Sequence, residues 1–460
     1  MVTFPEQYEK AMRALLGDEG FLQYQASFER DYFQGIRVNT AKLSPEAFEK
    51  RRLARGGAPL KRVPWCESGF YLEGETADFS KHPDYFAGLY YLQEPSAMAP
   101  AAILPIEKGD RVLDLCAAPG GKSTFLSAKL GDDGFLMAND ISPSRAKALL
   151  KNLELQGARR AVVVSENPYK LSQRFPEAFT KILVDAPCSG EGMFRKDEQA
   201  RAEWSPAAVR KCAERQRSIM MDAWDALKPG GILIYSTCTF NEEENEKNVE
   251  WIADSLGAEV LPIDYDPSWG ITEGTMGYHF YPHKTKGEGF YICALRKNDD
   301  EPLNMVNIKP KNRKENGSSS KAEYLPVMRS WLQHPDEWAI RYSDRFATAY
   351  PMKFKEICEY LSDQMTCISM GFGLGEERGK GIAPQHSLSM IKDLQKEAFP
   401  TIALTREQAL SYLRTEALLL GGVPLGLILL TYEGVPIGFA KNVGNRLNNL
   451  YPNEWRIRKL

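Results

Sequence analysis

A chain of 460 residues, 43% hydrophobic and 26% charged, has material for two or three domains with ample core. No run of 18 apolar residues occurs, the opening Met1-Val2-Thr3-Phe4-Pro5-Glu6 lacks a signal-peptide pattern, and none of the eight cysteines stands in a CxxC pair. These features argue against a membrane span, secretion, a disulfide framework and a zinc ribbon. With five scattered histidines no metal is expected, and the expected address is cytoplasmic, with reduced thiols. The net charge of −3 divides unevenly: residues 93–301 are acidic and residues 302–460 mildly basic.

In chain order, the apolar pattern predicts two amphipathic helices over 5–29 and a short strand from Gly35 to Thr40. Ser44-Pro45-Glu46 opens a helix running to about Arg55. Strands are expected from Leu60 to Trp65 and from Gly69 to Leu72. Lys50, Arg51, Arg52, Arg55, Lys61 and Arg62 form a cluster free of acid, either a grip for phosphates or a solvated helix face. Residues 1–92 thus read as a small α+β unit.

From residue 93 to 297 strands and helices alternate, which implies a doubly wound parallel sheet. Strands are expected at 111–115, 134–140, 161–164, 182–185 and 232–238, with a last one between Glu288 and Lys297. Residues 298–321 are polar and without apolar period, a linker. Residues 322–460 mix helices with short strands, and glycine-rich turns are expected at 371–375 and 379–381.

Chemistry-bearing residues cluster at strand ends, where ligands bind in open α/β sheets. Cys116-Ala117-Ala118-Pro119-Gly120-Gly121-Lys122-Ser123 follows the first strand of the alternating region, and Asp140 ends the second. Asp185 and Cys188 close the fourth, and Cys238 closes the fifth. Gly121-Lys122-Ser123-Thr124 shares the end of a phosphate-binding P-loop, but the glycine needed five positions before Gly121 is Cys116. A small-residue loop followed by a strand-end carboxylate also suits a nucleoside cofactor, and this loop is most consistent with S-adenosyl-L-methionine. Cytosine C5 methylation needs a thiolate that adds to C6, a carboxylic partner for the pyrimidine edge and a group that assists elimination. Cys238, Asp185 and Cys188 meet those needs, and Lys122 is a candidate for shaping the field around the thiols.

The segments Leu113 to Ser123, Asp185-Ala186-Pro187-Cys188-Ser189-Gly190 and Ser236-Thr237-Cys238-Thr239 resemble the signatures of the NOL1/NOP2/Sun family of RNA cytosine-C5 methyltransferases. Arg37-Val38-Asn39, Glu94-Pro95-Ser96-Ala97, Tyr281-Pro282-His283 and Gly287-Glu288-Gly289-Phe290 match further blocks of that family. Pro384-Gln385-His386 and the ending from Tyr451 to Arg456 resemble the PUA-like extension of the bacterial branch that methylates 16S ribosomal RNA. The resemblance implies a Rossmann-like methyltransferase domain at 93–297, an RNA-side unit at 1–92 and, within 322–460, a mixed α/β PUA-like RNA-binding domain. It implies a cofactor site formed by Cys116, Ala117, Ala118, Pro119, Gly120, Gly121, Lys122, Asp140, Arg145, Asn167 and Asp185. Asn167 stands where relatives commonly carry aspartate. It makes Cys238 the nucleophile and Cys188 the residue that assists product release, whereas DNA C5 methyltransferases use the Pro-Cys thiol. The implied partner is 16S ribosomal RNA or the small ribosomal subunit, met by a monomer without metal or membrane. A transfer RNA substrate, a P-loop nucleotidase and a non-catalytic RNA-binding scaffold are the alternatives. Trp204, Trp224, Trp251 and Trp455 are expected to serve packing.

Overall fold

The structure is a computed structural model that describes residues 2–72, 79–298, 319–379, 381–418 and 420–458. The linker expected at 298–321 falls almost wholly outside these residues, and the helix Ser319–Ser330 follows it. The N-terminal helix, Glu6–Ser27, is broken at Gly17, where φ is 71° and ψ is 169°, so the two expected helices are two arms of one bent element. A four-stranded antiparallel sheet follows: β1 (Gln34–Val38), β2 (Arg62–Val63), β3 (Cys66–Leu72) and β4 (Tyr90–Leu92), in the order β2-β3-β1-β4. Ser44 caps the helix Pro45–Leu53 through Ala47 N.

The central sheet is built on five parallel strands, β5 (Arg111–Asp114), β6 (Phe135–Asn139), β7 (Ala161–Val164), β8 (Phe179–Asp185) and β9 (Leu227–Thr237), ordered β9-β8-β5-β6-β7. Each is apolar along its length because helices cover both faces. Alternate residues enter different cores: Leu113, Ile182 and Val184 join Met220 and Trp224, while Val112 and Leu183 join Leu126 and Leu149. That is the two-residue period of a pleated strand buried on both sides. The chain leaves β5 for β6 on one side and returns to β8 on the other, so the strand order reverses between β5 and β8.

The parallel sheet expected from the alternation forms the centre, and antiparallel strands extend it at both edges. β10 (Glu259–Leu261), β11 (Thr272–Gly274), β12 (Gly277–Phe280) and β13 (Phe290–Arg296) extend the β9 edge in antiparallel fashion. Past the linker, β14 (Trp338–Ser343) and β15 (Phe346–Pro351) begin a separate sheet, yet β16 (Cys367–Met370) returns to pair antiparallel with β7. The central sheet therefore takes its far edge from the C-terminal part of the chain.

The glycine-rich turn expected at 371–375 is corrected. Only Gly371 turns (φ 66°), and β17 (Phe372–Arg378) is a strand pairing β15 and β18 (Gly381–Pro384). Gly373 lies where a Cβ would collide with the Gln385 and Ser387 side chains, so glycine there serves close approach rather than chain reversal. The last sheet, β19 (Thr401–Leu404), β20 (Gly426–Tyr432), β21 (Val435–Asn442) and β22 (Leu447–Asn449), shares a hydrophobic core with the N-terminal unit, where Ile36, Phe48 and Phe70 meet Leu404, Tyr412 and Ile428.

That contact corrects the reading of the N-terminal basic cluster. Arg51 and Arg55 both pair with buried Asp84 and with Glu433 on the turn after β20, and Arg62 pairs with Glu46 and Glu49. Arg51, Arg55 and Arg62 thus hold protein to protein. Among the described residues no helix is long and apolar enough to cross a membrane, and no group of three His, Cys, Asp or Glu side chains is placed to hold a metal ion.

Candidate active site

The reversal of strand order between β5 and β8 opens a crevice at their carboxyl ends. The 115–120 loop leaves β5 there, and Gly120 takes φ 111° to turn into the helix Gly121–Leu130. A cavity of about 210 Å3 lies against this loop, lined by the Cys116–Pro119 segment, Gly121, Lys122, Asp114 and Asp185, with Tyr91 of the N-terminal unit and Gln93 and Glu94 just past its end as the other wall. Sequence reasoning gave Tyr91 and Gln93 no role and singled out Glu94 only as part of a family-matching block.

Lys122 Nζ donates to Asp185 Oδ2 at 2.6 Å, and Ser236 Oγ donates to Asp185 Oδ1 at 3.0 Å. The β8–β9 register sets Asp185 beside Ser236, which brings the Asp-Ala-Pro-Cys and Ser-Thr-Cys loops together. Their thiols meet, with Cys188 Sγ 3.1 Å from Cys238 Sγ. The hydrogen bond that the protonated Cys188 donates to its partner thiol, with burial, pushes the Cys188 pKa well up, so Cys188 holds its proton.

Buried polar groups fix both thiol loops. Glu191 is 1% exposed and accepts from Trp204 Nε1, Phe240 N, Asn241 N and Asn241 Nδ2. Glu244 accepts from Ser189 N (3.0 Å), Gln216 Nε2 (2.7 Å) and Asn241 Nδ2 (2.9 Å). Gln216 Nε2 also donates to Pro187 O, and Gly192 N to Cys238 O.

Arg37 braces the cofactor side. It is 2% exposed and donates to Gly121 O at 2.5 Å, to Thr124 Oγ1 at 2.7 Å and to Gln93 Oε1. Asn39 Nδ2 ties the same strand to Gln156 O. Arg37 and Asn39 were visible only as a family match; what they touch was not.

The remaining expected residues divide. Asp140 is buried, accepts from Ser142 N at 2.9 Å and faces Arg145 at 3.4 Å; Arg145 in turn donates to Ala118 O at 2.9 Å, touching the loop from behind. Asn167 is exposed, and its Oδ1 caps the helix Pro168–Arg174 through Tyr169 N. None of the three lines the cavity. Asp114, which the sequence reading passed over, does line it. Burial pushes its pKa up to about 7, Ser123 Oγ donates to its Oδ2 at 2.6 Å, and Oδ1 is buried with no partner among the described residues. An unmatched buried carboxylate oxygen on a residue that lines a cavity suits a cationic ligand. A Cβ at Gly121 would approach the Tyr91 ring to 3.2 Å and Gln93 Nε2 to 3.3 Å, so the bare backbone forms part of the cradle. Both features fit S-adenosylmethionine, with its positively charged methionyl end.

Cys66, Cys293 and Cys358 are buried, and Cys212 and Cys367 half-buried. Trp204 and Trp224 lie in cores, and Trp251 packs against one. Trp455 is buried against His386, its anchor role.

Comparison with known proteins agrees with this geometry. Residues 101–296 match the model of 16S rRNA methyltransferase RsmB/F, residues 4–95 the N-terminal domain of 16S rRNA methyltransferase RsmF, and residues 399–457 the methyltransferase RsmF PUA domain. The chain is 34% identical to ribosomal RNA small subunit methyltransferase F of Aliivibrio fischeri over 98% of its own length and 96% of that protein's. A solved methyltransferase homolog from Pyrococcus horikoshii is 30% identical with a TM-score of 0.57, covering 64% of this chain and 95% of that one. The NSun6 structure from the same organism, with the cofactor analogue SFG, is 23% identical with a TM-score of 0.56, covering 65% and 99%. With fold, cavity and relatives in agreement, the chain belongs to the family of S-adenosylmethionine-dependent 16S rRNA methyltransferases F, the bacterial branch that carries a PUA-like C-terminal domain.

Proposed function

We propose that the protein methylates carbon 5 of a cytosine in 16S ribosomal RNA, with Cys238 as nucleophile and Cys188 assisting elimination. The observation that carries this reading is the pair of thiols 3.1 Å apart just past the ends of two adjacent parallel strands, the first of which ends in Asp185 of the cofactor cavity. Carbon 5 of cytosine is a weak nucleophile until a thiolate adds to C6, so the reaction needs a sulfur beside a methyl donor. Bound in the cradle of Asp114, the 116–122 loop and Asp185, S-adenosylmethionine supplies an electrophilic methyl group.

The target base leaves its stack to reach the strand ends. Asp185, held from opposite sides by Lys122 and Ser236, meets the pyrimidine edge. Cys238 Sγ forms the bond to C6, which makes C5 nucleophilic toward the methyl group. Water then takes the C5 proton, the C5–H electron pair restores the C5=C6 double bond, and the C6–S bond breaks with its electron pair returning to Cys238 Sγ. Cys188, still a thiol one hydrogen bond from Cys238, is placed to assist that release. We assign the cofactor loop, Lys122 and Asp185 to donor binding at the cavity, Arg145 through its bond to the loop, and Asp140 and Asn167 to the same site from the ends of the neighbouring strands β6 and β7, outside the cavity lining. We divide the chain into an RNA-side unit (1–92), the catalytic domain (93–297) and a C-terminal extension (322–460) that includes the PUA-like domain.

Bisulfite sequencing of 16S ribosomal RNA from cells with and without the gene is the direct test. One or more cytosines should lose protection when the gene is absent. An unchanged pattern, with tritium still transferred from the labelled cofactor to ribosomal RNA, would move the chemistry to another atom.

A further inference from the structure

A groove of about 670 Å3 runs between the helix Pro143–Gln156, the β17–β18 edge and the segment from Asn449 to Trp455. It is separate from the cofactor cavity and draws its walls from the catalytic domain and both C-terminal sheets. Two side chains on its wall are more than nine-tenths buried yet have polar atoms without a partner among the described residues. His386 is 7% exposed with both ring nitrogens unmatched, and Tyr451 is 4% exposed with an unmatched hydroxyl. Their rings meet edge to face at 4.9 Å. Buried polar groups in folded proteins are nearly always paired, so two adjacent ones on a groove wall mark a place for a ligand.

The rim is cationic. Lys147 and Lys151 stand on one side, with Arg345 and Arg378 on the other. Of the three acids present, Glu376 is matched by Arg345 at 3.2 Å and Arg378 at 2.7 Å. Glu154 is pushed up to about 7 by burial and the nearby Glu454. Beyond Arg378 the groove continues into a hollow of about 490 Å3 whose ionisable walls are all basic, Arg378, Lys441 and Arg446. At the other end it meets a smaller hollow at Lys151 that Asn152 also lines. Asn152 Nδ2 donates to Pro119 O of the cofactor loop at 2.7 Å.

We propose that this groove is a second RNA subsite, apart from the one that holds the methylated cytosine. An unpaired nucleotide sets its base edge against His386 and Tyr451, and the flanking phosphates follow Lys147, Arg345, Arg378 and the basic hollow beyond. The inference rests on the reading that RNA is the substrate. A small anion alone would suit a charged floor, but this floor is neutral, because burial pushes the His386 pKa down to about 3. A neutral imidazole offers one donor and one acceptor, and a phenol hydroxyl can act as either, which matches a base edge. Unpaired bases are the parts of RNA that proteins read.

The test uses the full chain, with deproteinised 16S ribosomal RNA and intact small subunits assayed in parallel. Lys147→Ala with Arg345→Ala alters only exposed side chains. It should weaken RNA binding about tenfold and flatten the salt slope by about 1.4, two contacts at roughly 0.7 each, with affinity for S-adenosylmethionine unchanged. His386→Phe keeps an aromatic ring but removes the nitrogens, and should raise KM for RNA several-fold at unchanged kcat. RNA carrying 4-thiouridine should photo-crosslink to the peptide that contains Tyr451. Wild-type RNA affinity and salt slope in the double variant, with crosslinks elsewhere, overturn the subsite even if methylation proceeds. A groove that takes free nucleoside monophosphate without affecting RNA binding overturns it equally. Wild-type protein that binds RNA through the groove but methylates no cytosine would leave the subsite standing and overturn only the chemistry.

Discussion

The two halves of the active site are braced from different places. The thiol half is held from inside the catalytic domain by the buried carboxylates Glu191 and Glu244, which gather backbone and side-chain donors from both cysteine loops. The cofactor half is held from outside by a buried cation, Arg37 of β1, which grips the start of the helix after the small-residue loop. Rigid sulfur geometry and donor affinity can therefore be disturbed one at a time.

The largest effects belong to the sulfurs themselves. Cys238→Ala should abolish turnover to the background of the assay while leaving cofactor affinity intact. Cys188→Ala should accumulate a covalent protein–RNA adduct on a denaturing gel. Exchange of these phenotypes would reverse the assignment of nucleophile. Next comes Arg37→Met, which keeps much of the side chain's length but leaves Gly121 O and Thr124 Oγ1 without their cation. Removing one member of a buried charge-assisted set costs about 2–5 kcal/mol, so binding of S-adenosylmethionine, read by calorimetry, should weaken at least tenfold. The Cys188→Ala, Arg37→Met double variant should still trap adduct at saturating cofactor. Failure to trap it would show that the N-terminal unit also sets the thiols.

Glu191→Gln tests the opposite brace. The substitution preserves shape but puts an NH2 donor where four donors now converge, so one or two bonds must break at about 1–3 kcal/mol each. A fall in kcat of roughly ten- to a hundredfold, with KM for the cofactor unchanged, is the expected split. A rise in cofactor KM instead would mean that the halves are one unit.

The strands of this site were legible because each is an apolar run ending in a chemically conspicuous residue; Asp185, Cys188 and Cys238 stand where the pattern breaks. The braces were not, because their partners lie far along the chain. Arg37 meets Gly121 84 positions away, and Glu191 meets Phe240 49 positions away. Strand β16 was hidden for the same reason. Its short Cys-Ile-Ser-Met run is only partly buried, and nothing local reveals that it will complete a sheet begun more than 200 residues earlier. Asp114 was a missed signal of a recognisable kind, a strand-end carboxylate like Asp140, and it lines the cavity where Asp140 does not.

Asp114 gives the cofactor half a pH signature. Its pKa of about 7 in the folded protein lies above the roughly 3.9 of an unfolded aspartate, so the folded chain binds the extra proton. Stability of the free protein from this group is therefore complete below about pH 4 and declines as pH rises toward 7. Cofactor binding runs the other way, because the cationic methionyl end needs the carboxylate. Affinity should rise up to tenfold per unit below pH 7 and level off above it. Asp114→Asn should flatten both profiles, and a cofactor affinity that stays pH-dependent in that variant would place the titrating group elsewhere.

The smallest effect on catalysis is expected where the sequence had suggested an RNA grip. Burial alone would raise the Asp84 carboxyl, but hydrogen bonds from Arg55 and Arg51 outweigh it and hold its pKa below the usual range. A depressed carboxyl contributes stability above its unfolded pKa and loses it as pH falls through the folded value. Arg51→Ala with Arg55→Ala should therefore lower the melting temperature at neutral pH, and the loss should shrink as the solution is acidified below about pH 4. Asp84 is nearly inaccessible at 2% side-chain exposure and would be left without its two strongest partners, a situation that costs about 3 kcal/mol or more for a buried pair. RNA affinity and its salt slope should stay as in the wild type, measured below the melting transition. A flattened slope would return these arginines to the RNA and mean that the pairs with Asp84 and Glu433 open when substrate arrives.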